Sequence, residues 1–183
     1  KLITLYIMSE YQTSSMDSSS QNVTHPLYDK WTLWAHLPHD TDWSLKSYKP
    51  IMTMKTLEDA LALNRALPEK LVKNCMLFLM RKGISPTWED PKNRQGGCFS
   101  FKVKNSAVPV IWKRLSYALV GETITNDNKL LSTITGITIS PKKSFCIIKV
   151  WLSNCNMQSP HLLSEIPGLT VTGCIFKKHK PEY

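Results

Sequence analysis

Glycine is scarce in this chain, seven in 183 residues, and no Gly-rich loop follows a predicted strand in the way that cradles a nucleotide phosphate. There is no G-x-S-x-G turn, no His pair at metal-ligand spacing and no cluster of acids that would hold magnesium. His25, His36, His39, His161 and His179 are scattered and read as structural or surface residues. The chain is therefore read as a binding module and not an enzyme, with no metal and no cofactor. Five cysteines make an odd count with no C-x-x-C pair, which fits reduced thiols better than a disulfide framework or a zinc site. No apolar run approaches the roughly 20 residues needed to span a bilayer, and the opening Leu2 to Ile7 is too short for a signal-peptide core. A soluble, cytoplasmic monomer without membrane association is expected.

Positive charge is plentiful. Lys and Arg outnumber Asp and Glu by 23 to 14, a formal charge of +9, so the surface field favours polyanions. Residues 1–24 are rich in Ser, Gln, Thr and Asn with no hydrophobic period and read as a disordered tail. Residues 25–183 have the length and the 42% hydrophobic content of one domain with its own core.

Short alternating runs separated by turn signals mark an α+β pattern with antiparallel strands. Strands are predicted over 30–36, 47–53, 74–81, 97–103, 132–139, 145–153 and 170–177. Thr56 suits an N-cap ahead of Glu58 and Asp59, starting a helix that runs to Pro68. A second helix spans 108–120, with Pro109 in its first turn and Gly121 at its end. A shorter third helix is predicted from Ser159-Pro160 to before Pro167.

Six tryptophans fall into groups. Trp31, Trp34 and Trp112 have apolar company and read as core. Trp43 and Trp88 lie in polar, turn-like stretches, so both belong on loops, where large aromatics often mark binding surfaces. Two such rings could sandwich a flat base, the more strongly if the base is cationic. Glu89 could accept the two adjacent N–H donors of a guanine edge; by composition and spacing alone, the preferred reading of Glu89 and Asp90 is as acids solvating a turn. Lys92, Arg94, Lys142 and Lys143 in loops, with Lys177, Lys178 and Lys180 near the C-terminus, could form a phosphate-binding rim.

These residues match a known pattern. His25-Pro26-Leu27 followed by Trp31-Thr32-Leu33-Trp34, the stretch from Trp88-Glu89-Asp90 through Asn93 to Gly96-Gly97, Leu57-Glu58-Asp59, and Trp112 ahead of Leu119-Val120-Gly121-Glu122 together resemble the translation initiation factor 4E cap-binding family, over residues 25 to 178. The resemblance implies a curved antiparallel sheet of about eight strands, three helices on its convex face and a slot for the 7-methylguanosine cap of messenger RNA on its concave side. It makes Trp43 and Trp88 the stacking rings, Glu89 the guanine-edge acceptor and Trp151 the ring touching the N7-methyl group. For the phosphates the best match to the family's basic triplet is Lys142, with Lys143 a nearby substitute; Arg94, Lys177 and Lys178 stay candidates from the charge reading.

Departures from the family pattern concern phosphate and partner. Ser140 and Cys98 stand at positions where the family has Arg, and with the given sequence ending at Tyr183 a shortened C-terminal loop over the phosphates is expected. On the convex face the family grips a scaffold initiation factor or a regulatory peptide. Here Leu57, Leu61, Lys113, Arg114 and Tyr117 occupy that surface, with Leu61 in place of a tryptophan, and an altered or weakened partner set is expected. The alternatives are a cap-sequestering translational repressor and a non-specific single-stranded RNA-binding protein. A decapping or cap-methylating enzyme finds no support in the residues.

Overall fold

The computed structural model describes residues 24–181; the predicted tail, apart from Thr24, lies outside the described residues. Seven strands form one curved antiparallel sheet: β1 (Pro26–His36), β2 (Tyr48–Thr56), β3 (Met76–Arg81), β4 (Gly97–Lys104), β5 (Ile134–Pro141), β6 (Phe145–Leu152) and β7 (Ile175–Lys178), in the spatial order β2-β1-β3-β5-β6-β4-β7. Four α-helices accompany it: α1 (Leu57–Ala66), α2 (Glu69–Asn74), α3 (Val108–Val120) and α4 (Asn128–Thr133). Pro50 is tolerated within β2 because that strand is an edge, paired only with β1.

The period of two along each strand divides the molecule. Trp31, Leu33 and Ala35 of β1, Leu77 and Leu79 of β3, Ile148 and Val150 of β6 point to the helices and are buried with Leu63 of α1 and Ile111, Leu115 and Leu119 of α3. The alternate positions face the other way, and Tyr48, Phe78, Met80, Cys98 and Trp151 gather there in a second, smaller cluster. Trp34, expected in the core, is half-buried against that second cluster, because a one-residue step along β1 reverses the face.

Thr56 caps α1 as predicted: its hydroxyl accepts from Asp59 N while the Asp59 carboxylate accepts from Thr56 N. Helix α3 has the predicted limits. At its end Glu122 takes a left-handed φ of 56° and pairs with Arg81, which also pairs with Asp29 and lies 4.6 Å from the Trp31 ring centroid. The Leu-Val-Gly-Glu tail of the helix thus ties α3 to β1 and β3.

Among the described residues the strand count is seven where about eight were expected, and four α-helices stand where three were. Asn74 belongs to α2, and Ser132 and Thr133 to α4, not to the strands that follow; six-residue helices are too short to show a 3.6-residue period. The predicted helix after Ser159 is a single 3-10 turn, Pro160–Leu162. The last strand begins at Ile175, since Gly173 at φ 78° turns the chain just before it.

Candidate functional site

The face of the sheet turned away from the helices carries a cavity of about 570 Å³. Trp151 of β6, 3% exposed, is its floor, packed edge-on against Phe78, which packs edge-on against Tyr48. Two loops supply the walls. Trp43 comes from the β1–β2 loop, Trp88 and Glu89 from the β3–β4 loop, and all three line the cavity with Trp151. The four residues predicted for base recognition converge.

Trp43 is 58% exposed, so something other than burial must hold it. His36 stacks on its ring at 4.2 Å with 6° between planes, and His36 Nε2 donates to the Asp42 carbonyl at 2.9 Å. The Asp42 carboxylate accepts from the backbone N–H and hydroxyl of Ser44, and these bonds hold its pKa below the ordinary range. One buried ring and one Asx turn index an otherwise solvent-facing aromatic.

The β3–β4 loop explains the spacing of the Trp-Glu-Asp to Gly-Gly motif. Asp90 accepts from Ser85 N and Lys92 N through its two carboxylate oxygens, at 2.7 and 2.9 Å. Asn93 is fully buried and its amide donates to the carbonyls of Ser85 and Thr87, both at 2.9 Å. The Asn93 carbonyl in turn accepts from Gly96 N and from His179 Nδ1. Asp90 and Asn93 therefore hold the loop closed on itself. Glu89, one residue away, has no hydrogen-bond or ion-pair partner among the described residues and faces the cavity. The two neighbouring acids differ: Asp90 builds the turn and Glu89 faces the cavity.

His179, which sequence reasoning assigned no role in the site, backs Trp88 at 5.7 Å and 14° and lies 4.8 Å from Trp151. It is 6% exposed. Donation from Nδ1 to Asn93 leaves Nε2 without a partner among the described residues. Burial pushes its pKa below the ordinary 6.5, with Lys149 acting in the same direction and the Asn93 bond opposing. The neutral ring is the folded form, so its contribution to stability is full above about pH 6.5 and is lost as pH falls below it. We expect the melting temperature to drop between pH 7.5 and 5.5, and His179→Gln to flatten that drop; equal slopes in both proteins would remove His179 as the source.

Beside the slot runs a second cavity, about 830 Å³, sharing Trp88 and Lys149 with it. Of the residues expected to contact phosphate, Lys142, Lys177 and Lys178 line this groove, whereas Arg94 and Lys143 line neither cavity. Lys180, named with the C-terminal cluster, lines it too, and Lys102 and Lys149 are additions. Lys149 is the significant one. It stands two residues before Trp151 on β6, hence on the same face, and its ammonium lies 5.9 Å from the Trp88 ring centroid. Burial lowers its pKa. The i, i+2 spacing to Trp151 was the available signal, hidden because β6 is apolar on both faces. Cys98, standing where a cation was expected, is buried and opposite Lys177 across the β4–β7 pair, so a cation is supplied from the neighbouring strand.

On the helical face α1 and α3 pack side by side. Leu57 is exposed, Leu61 half-buried, and Lys113 extends over Tyr117 with Nζ 6.0 Å from the ring centroid. Arg114 donates to the Pro167 carbonyl at 2.9 Å, so it fastens the loop after 162 to α3.

A family model described as eukaryotic initiation factor 4E matches residues 26–167. The chain belongs to this initiation factor 4E family. Eukaryotic translation initiation factor 4E of Eremothecium gossypii is 35% identical over 149 residues, 78% of this chain and 69% of that protein. Factor 4E-2 of Schizosaccharomyces pombe is 34% identical over 140 residues, 73% of this chain and 56% of that protein. A 4E homolog of Acanthamoeba polyphaga mimivirus is 30% identical over 128 residues, covering 62% of this chain and 47% of the homolog. Among solved structures, a schistosome factor 4E complexed with m7GpppG and 4E-BP superposes with a TM-score of 0.67 at 25% identity, over 74% of this chain and 75% of the other. The curved antiparallel sheet with its few helices matches the solved 4E structures.

Proposed function

We propose that this 4E-family chain binds the 7-methylguanosine cap of messenger RNA and acts in translation initiation or its control. The carrying observation is Glu89: a carboxylate with no partner among the described residues, facing a cavity bounded by Trp43, Trp88 and Trp151. Flat aromatic walls suit a base, the carboxylate suits two adjacent N–H donors, and its charge suits a base made cationic by N7-methylation. Trp151 is assigned to the methyl group. Likeness to a schistosome protein complexed with m7GpppG supports the reading. A tryptophan fluorescence titration with a 7-methylated guanine nucleotide and its unmethylated counterpart tests it: quenching selective for the methylated ligand is expected, and an equal or absent response would overturn the assignment.

Lys142, Lys177 and Lys178 are assigned to the phosphates, with Lys149 nearest the base. A half-buried ammonium beside Trp88 repels a cationic base unless a phosphate neutralises it. The methylated nucleoside without phosphate should therefore bind about 10- to 100-fold more weakly than the nucleotide, the range of a hydrogen bond to a charged group. Lys149→Met should narrow that gap from both sides. An unchanged ratio of nucleoside to nucleotide affinity in Lys149→Met would remove Lys149 from ligand recognition.

For the convex face, Leu61 and Lys113 favour a changed or weakened scaffold contact and, with it, a cap-sequestering repressor as the second reading. Retention on a scaffold-peptide resin should be reduced, and Leu61→Trp should raise it; full retention of the unmodified chain would refute the changed surface.

A further inference from the structure

The groove beside the slot is larger than a cap's phosphate bridge needs. Six lysines line it, Lys102, Lys142, Lys149, Lys177, Lys178 and Lys180, and no acidic side chain among the described residues does. Its floor follows the strands outward from the slot. Along β6, Trp151, Lys149, Ile147 and Phe145 share one face, and the register sets Ser100 beside Lys149 and Lys102 beside Ile147. Phe145 lies four residues beyond Lys149, roughly 13 Å away at the strand rise, which is several base steps of about 3.4 Å. The Lys102 ammonium lies 4.5 Å from the Phe145 ring centroid. Across the groove, Ile175 of β7 is 57% exposed. The far end thus offers what single-stranded nucleic acid requires, an aromatic platform with cations alongside.

We propose that this groove binds the first transcribed nucleotides of the capped RNA, with Phe145 stacking a base and Lys102 holding the adjoining phosphodiester. The inference rests on the cap reading of the slot and extends it from a terminal nucleotide to an RNA 5′ segment. RNA is favoured over an acidic peptide because the groove opens from the slot itself, at Trp88 and Lys149, so a chain leaving the slot enters it directly.

The test compares three ligands on the full chain: a 7-methylated guanosine triphosphate, a capped pentanucleotide and the same pentanucleotide uncapped. In the unmodified protein the capped pentanucleotide should bind about tenfold more tightly than the mononucleotide, the fold-change of one stacked base, and with a steeper salt dependence. Phe145→Ala should abolish that gain and leave mononucleotide binding unchanged, which also reports that the variant is folded. Ile175→Ser, on an exposed side chain, is the second variant and should reduce the gain without abolishing it. A capped pentanucleotide no tighter than the mononucleotide, or a gain that survives in Phe145→Ala, would overturn the inference while leaving the slot reading intact. Uncapped RNA binding as tightly as capped RNA would overturn the slot reading and the inference together. Competition by a polyglutamate peptide as effective as that by RNA would assign the groove to a protein instead.

Discussion

Glu89→Ala is expected to lower affinity for a 7-methylated guanine nucleotide about a hundredfold. Two charge-assisted hydrogen bonds, each contributing on the order of 1.5–3 kcal/mol, would be lost, offset in part by the cost of taking the carboxylate out of water; a net of roughly 3 kcal/mol corresponds to about two decades. Selectivity should fall too, since the carboxylate's charge is what favours a cationic base over its neutral counterpart. Glu89→Gln sharpens the point. It keeps the shape and one acceptor but removes the charge, so preference for the methylated nucleotide should shrink more than binding of the unmethylated one. The necessary contrast is Asp90→Ala, which leaves the cavity lining intact but frees the N–H groups of Ser85 and Lys92. That variant should lose thermal stability as well as affinity, whereas Glu89→Ala, with no partner to abandon, should melt at or above the temperature of the parent. Fluorescence titration and thermal melts of the three variants separate the roles. A Glu89→Ala protein that binds the methylated nucleotide as tightly as the parent would end the assignment.

That separation of Glu89 from Asp90 marks the limit of what the residues alone could say. Both acids follow a loop tryptophan, and nothing in their order tells which one closes the turn. The answer depends on the Ser85 backbone five residues upstream and on Asn93 three residues downstream. The resemblance assigned Glu89 to the guanine edge, and the hydrogen bonds show that it is Asp90 that closes the turn. Helix α3 was readable to its ends because thirteen residues carry several turns of apolar period between a proline and a glycine. The faces of β6 were not readable, because Phe145, Ile147 and Trp151 on one side are as apolar as Ile148, Val150 and Leu152 on the other. The consequence was that Lys149 passed unnoticed between two apolar neighbours. His179 was missed for another reason. A histidine among Lys177, Lys178 and Lys180 looks solvated, and only the return of β7 alongside β4 carries it beneath Trp88. Residues that act through their own chemistry were legible, and those that act by where the chain returns were not.

Gly96→Ala carries the largest stability effect. A Cβ built on Gly96 would lie 1.7 Å from the Leu152 carbonyl oxygen, 2.8 Å from its carbon and 3.1 Å from the Asn93 oxygen. All three are backbone atoms, so no side chain can rotate away. The residue also cannot retreat, because Gly96 N donates to Asn93 and its carbonyl accepts from His179 N at 2.9 Å. Overpacking against side chains typically costs 1–3 kcal/mol; against a β-strand backbone the cost should reach or exceed about 3 kcal/mol, a large share of the 5–15 kcal/mol that holds a domain together. For a chain of this length that is a fall in melting temperature of roughly 10 °C. Gly83→Ala is the control, with nothing within 4 Å of its Cβ but a φ of 85°, and backbone strain alone should cost about 1 kcal/mol. Because the same Gly96 carbonyl anchors the segment bearing His179 and Lys178, any Gly96→Ala protein that remains folded should bind the cap nucleotide weakly even where Glu89, Trp43 and Trp151 are untouched. A variant that melts within a few degrees of the parent would mean that the β3–β4 loop can lift away from β6, and the rigid frame assigned to Trp88 would have to be abandoned.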